Sequence, residues 1–90
     1  MSDYIFTAHA KDMVREREIA EEWVLQTIHN PDLTRKGNDT NTHYFKLLPE
    51  REGNVLHVVV NENVEPKRIV TLFLDRRERK EHETKNRQRK

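Results

Sequence analysis

The groups in this chain that could do acid–base chemistry are quickly named. There are five histidines, at positions 9, 29, 43, 57 and 82, one serine (Ser2) and no cysteine. No two histidines stand four residues apart and no H-x-E-x-H pattern occurs, so the spacing of a zinc site is missing. With only two glycines there is no phosphate-cradling loop. A lone serine is an unpromising nucleophile, and the lack of cysteine excludes disulfides and thiolate metal ligands. What remains is proton transfer by histidine, with Lys, Arg and Tyr neutralising developing charge. Neither a cofactor nor a metal is expected.

The elements that must position these groups follow from periodicity. Tyr4 to Phe6 reads as a short strand, and Thr7 can cap a helix from about Ala8 to Arg17. A second helix spans roughly Ala20 to His29, burying Trp23, Val24, Thr27 and Ile28. It begins on a weak cap, Ala20, and ends before Pro31. The period then changes to two. His43–Leu48, Val55–Val60 and Ile69–Leu74 read as strands, with a weaker one near Leu33–Lys36. The expected fold is α+β: a strand, two helices, then a three- to four-stranded antiparallel sheet carrying the helices on one face. Residues 1–79 form this single domain, and residues 80–90 a charged, flexible tail.

Two placements for a site follow. On the first helix, His9, Met13 and Arg17 fall at i, i+4 and i+8, so His9 and Arg17 face one way. That pair either flanks a site or serves the fold, His9 bonding backbone near the strand–helix junction and Arg17 pairing with Glu21 or Asp75. On the sheet, Leu56, Val58 and Val60 form a purely apolar set, as do Val70, Leu72 and Leu74. If these meet the helices, with Phe45 and Leu47 beside them, then Tyr44, Lys46, His57 and Thr71 share the other face. Arg77 continues that parity beyond the last strand.

Charge is unevenly distributed. Residues 76–90 hold eight Lys and Arg against three Glu, a balance of +5, while the first 75 residues carry −4. The basic end is either a solvated tail or an electrostatic contact for nucleic acid or an acidic partner. The opening residues lack the layout of a signal peptide, and no run is long enough for a membrane helix. The chain is therefore read as cytoplasmic, with no membrane partner.

The stretches "FTAHAKDMVREREI", "NPD", "GNVLHVVVNE" and "RIVTLFLDRR" resemble a family of small bacterial domains, domain of unknown function 4258. Its pattern is T-x-H-A-x-x-R-M-x-E-R-x-I followed by a sheet ending in I-V-T. His9, Ala10, Glu16, Arg17, Ile19, Pro31, Val70 and Thr71 match, while Met13 stands where arginine is common and Glu18 where glycine is. In element order that family is similar to the BrnT and RelE toxins of bacterial toxin–antitoxin systems. The resemblance implies a metal-independent endoribonuclease acting on free or ribosome-bound messenger RNA and held by a small antitoxin protein. By residue type, His57, Lys46, Arg77 and Tyr44 are its candidate site, with His9 and Arg17 in reserve. A non-catalytic RNA- or protein-binding module is the alternative.

Overall fold

Thr7 starts the first helix as its position predicts: its Oγ1 accepts from the Ala10 N–H at 3.1 Å. The computed structural model describes residues 4–37, 40–49 and 53–75. In chain order they form β1 (Tyr4–Phe6), α1 (Ala8–Glu16), α2 (Glu21–His29), β2 (Leu33–Lys36), β3 (Thr42–Leu48), β4 (Asn54–Asn61) and β5 (Lys67–Asp75). The flexible tail expected over 80–90 lies outside the described residues, as do Arg77 and His82.

The end of α1 explains one feature of the sequence. The Ile19 N–H donates to Val14 O at 3.0 Å and the Glu18 N–H to Arg15 O at 3.3 Å, a Schellman closure. Its left-handed residue is Glu18, with φ +53°. Glycine adopts that conformation without a Cβ penalty, and Glu18 stands where the resembled pattern has glycine. Ile19, the next residue, is buried and carries the chain into the core. Helix α2 starts on Ala20 with no side-chain cap, and Glu21 and Glu22 supply the favourable charge of its first turn instead.

The strands form one mixed sheet in the order β1-β5-β4-β3-β2. Strands β2 to β5 are antiparallel neighbours, as the alternating segments imply. Strand β1 adds a fifth member at the far edge, parallel to Lys67–Ile69 of β5. Beyond Ile69 that edge of β5 has α1 for a neighbour instead of a strand.

Both helices pack on one face. Ala10, Ile19, Val24 and Ile28 meet Leu48, Leu56, Val58, Val60, Ile69 and Leu72 in a single core. Two details of the expected faces need correction. A register shift at Val59/Val60 makes Val70 the extra residue of a bulge, so Ile69 takes the core position and Val70 is only half-buried. In β3 the parity is the reverse of that expected. Tyr44 pairs with Val58 and Lys46 with Leu56 on the helix side, whereas Phe45 pairs with His57 on the far side. Each alternate set of β3 mixes polar with apolar residues, so composition does not choose between them. The hairpin does: Gly53, at φ +75°, donates its N–H to Leu48 O at 2.9 Å, and Leu48 then faces Asn54.

Candidate functional site

The far face is ordered in transverse rows. Leu33, Phe45, His57 and Phe73 lie directly across from one another on β2, β3, β4 and β5. The next row holds Arg35, His43, Val59 and Thr71. This face is not bare, since Phe45, Val55 and Val59 are buried on it.

At its centre the His57 ring lies between two phenylalanines, with centroids 4.2 Å from Phe45 and 4.6 Å from Phe73. Those contacts fix the ring plane and leave both nitrogens pointing along the face. His57 Nε2 meets His43 Nδ1 at 2.7 Å, and His57 Nδ1 lies 3.4 Å from an Asp75 carboxylate oxygen. Burial lowers the pKa of His57; the Asp75 bond opposes this, but His43 and the Arg35 guanidinium push the same way as burial. The ring is therefore neutral at physiological pH. Arg35 itself lies over the Phe45 ring, 5.3 Å from its centroid.

One tautomer pair satisfies both contacts. With Asp75 ionised, it accepts from His57 Nδ1–H, which leaves Nε2 of His57 as an acceptor for His43 Nδ1–H. The lone pair then lies on His43 Nε2. The arrangement is a carboxylate–imidazole–imidazole series, in which a proton taken up at one end is stabilised by the charge at the other.

The residues expected at the site separate into three groups. His57 and Thr71 lie on the far face as expected. Tyr44 and Lys46 do not join them: both serve the fold. The Tyr44 OH donates to Glu62 at 2.7 Å, and burial and that carboxylate together push its pKa well above the ordinary phenol value. Glu62 also accepts from Thr42 at 2.7 Å. Although burial favours its protonated form, these hydrogen bonds, with Lys67 and Lys36, hold its pKa below the ordinary range. Lys46 Nζ donates to Asn30 O at 3.0 Å, satisfying a carbonyl at the end of α2. Arg77, the third group, lies outside the described residues.

His9 and Arg17 flank β5 from α1. His9 Nε2 meets Thr71 Oγ1 at 3.1 Å, while Arg17 lines a recess with Phe73 and Leu74. Thr7 Oγ1 donates to Val70 O at 3.1 Å. The opening T-x-H-A stretch and the closing I-V-T stretch therefore touch three times, through Thr7 N–H to Ile69 O at 3.2 Å, Thr7–Val70 and His9–Thr71. His9 bonds a side chain on β5, not the strand–helix backbone.

His43, Asp75 and Arg35 were not among the expected site residues. The signal that finds them is the hairpin register: once Phe45 is set opposite His57, His43 falls on the same face one row away. Among the described residues no group of three His, Cys, Asp or Glu converges as a metal-binding cluster; His43, His57 and Asp75 stand in series. No helix among the described residues is long and apolar enough to cross a membrane.

Comparison with curated proteins and with solved structures returned no match. The family model "Domain of unknown function (DUF4258)" matches residues 6–74, which span both contacting motifs and all but the last residue of the His43–His57–Asp75 series. The chain belongs to that family.

Proposed function

We propose that the chain is a metal-independent endoribonuclease acting on messenger RNA, the toxin of a toxin–antitoxin pair, with the His43–His57–Asp75 series as its acid–base unit. One observation carries this reading: two imidazoles 2.7 Å apart, backed by a carboxylate and next to an arginine, on one sheet face. In the mechanism, His43 Nε2 takes the proton of a ribose 2′-OH. The 2′-oxygen attacks the adjacent phosphorus, the O2′–P bond forms, and the P–O5′ bond breaks. The His43 imidazolium returns its proton to the departing 5′-oxygen, leaving a 2′,3′-cyclic phosphate. Arg35 neutralises the phosphate oxygens as charge builds on them. His57 and Asp75 act through His43 and are positioning residues.

The test is cleavage of naked and ribosome-bound messenger RNA in excess chelator. Wild-type cleavage is expected to persist, and His43→Ala to lower its rate on the order of a hundredfold. His57→Asn should reduce kcat and shift its pH profile. Growth arrest on induced expression should be relieved by the product of the adjacent gene. Activity abolished by chelator, or unchanged in His43→Ala, would refute the mechanism.

A second reading, a non-catalytic binding module, is favoured by β2. It is an edge strand with Thr34, Arg35 and Lys36 exposed, suited to strand addition by an acidic segment or to a phosphate backbone. RNA binding without cleavage would select it.

A further inference from the structure

The recess between the end of α1 and the end of β5 takes no part in the chemistry proposed above. It encloses about 620 Å³, within the roughly 300–1,000 Å³ of small-ligand sites. Met13, Phe73 and Leu74 give it an apolar lining, and Glu16, Arg17 and Glu18 a charged one. We propose that this recess takes the guanine base of a single-stranded RNA. The proposal rests on RNA as the ligand in the reading above, and not on its cleavage.

Charge decides against a bare phosphate. Two carboxylates stand against one guanidinium, a balance that repels an anion. A neutral base suits such a lining, its faces against apolar side chains and its edge against charged ones. The recess also lies at the C-terminal end of α1, the negative pole of that helix, which favours hydrogen-bond donors.

The pattern of donors and acceptors picks the base. A carboxylate offers two acceptor oxygens and is best matched by two donors side by side. Of the four RNA bases, guanine alone presents these on its Watson–Crick edge, as N1–H and N2–H, with the acceptor O6 beside them. Glu16 takes the two donors and Arg17 the O6. Among the described residues neither Glu16 nor Arg17 has an ion-pair partner, so no internal pairing, with Glu21 or Asp75 for example, competes with the base. Phe73 ties the recess to the far face. Its ring lies 4.6 Å from that of His57, so a base held beside Phe73 belongs to a nucleotide close to the His43–His57–Asp75 series. The recess therefore selects which nucleotide is presented to that series.

The experiment titrates the full chain against end-labelled RNA pentamers, UUGUU, UUAUU and UUIUU, by fluorescence anisotropy, and follows the Met13 methyl group by NMR. Inosine (I) keeps O6 and N1–H but lacks the N2 amino group. UUGUU is expected to bind at least about tenfold more tightly than UUAUU, with UUIUU between them, and to move the Met13 methyl resonance. Glu16→Gln should remove the preference for guanine over adenine, and Arg17→Met should bring UUGUU and UUIUU down toward UUAUU. Both side chains are exposed, and if a variant fails to fold, the wild-type order of the three pentamers decides. Equal or absent binding of the three, a guanine preference unchanged in a folded Glu16→Gln, or an unmoved Met13 methyl would overturn the site. Guanine-selective binding by a chain that cleaves no RNA keeps the recess and removes the nuclease reading. Cleavage with no preference for guanine does the reverse.

Discussion

The two faces of the sheet hold similar polar residue types under opposite proton economies. On the helix side, Tyr44 donates to Glu62, a phenol to a carboxylate. Their ordinary proton affinities lie far apart, at 10.0 and 4.5, and the bond drives them further. The proton is locked and the pair is structural. On the far side the partners are two imidazoles, equal in kind, and once the pair has taken up a proton the charge can rest on either ring. A polar residue's type therefore says less about chemistry than the match between its proton affinity and its partner's.

The strongest way to break this contrast is by core truncation. Leu72 is fully buried against the helices, and Leu72→Ala should cost about 2–5 kcal/mol. Its neighbour on the far face, Phe73, is half-buried, and Phe73→Ala should cost only about 1–2 kcal/mol. Equal losses in denaturant unfolding would mean that the far face is as much core as the helix side.

A smaller effect sharpens it through pH. His57 binds protons less readily folded than unfolded, so protons favour the unfolded chain. Stability should be full above the unfolded value of 6.5 and fall as the pH drops below it, levelling once the folded ring is protonated. His57→Asn should flatten that fall, whereas Tyr44→Phe should leave it in place. Glu62 acts lower: its contribution is present above 4.5 and is lost as the pH falls through its depressed folded value. Melting temperatures measured from pH 8 to 4 separate the two windows.

The smallest effect concerns the helix layer alone. Glu18 holds a left-handed conformation, so Glu18→Gly should raise stability by about 1 kcal/mol. The same substitution should leave the far-face imidazole resonances unmoved. Movement there would show that the two sides are coupled.

Much of the architecture was legible in the sequence. Thr7 as a cap, Trp23 to Ile28 as a buried stripe and Leu33–Lys36 as a strand all follow from local chemistry that acts within a few residues. The site was half legible. His57 could be placed on the far face because its strand alternates cleanly. Strand β3 does not, with Thr42, Tyr44, Lys46 and Leu48 on one side and His43, Phe45 and Leu47 on the other. Neither set is apolar enough to declare itself, so a one-residue ambiguity in register exchanged Lys46 for His43. Asp75 was hidden for a different reason: its relation to His57 exists only across two strands.

The pairing of β1 with β5 has a consequence for how the protein is made. Tyr4 finds its partner at Lys67, some 63 residues later. At synthesis rates of about 5–20 residues per second, the first strand waits on the order of 3–12 s for the last to be translated. During that interval α1 and α2 have no complete sheet to cover, and Phe6, Val24 and Ile28 have no lasting burial. The nascent chain is thus a client for whatever binds exposed apolar segments at the ribosome. The protein acquires its native form only after nearly all of its domain has been translated.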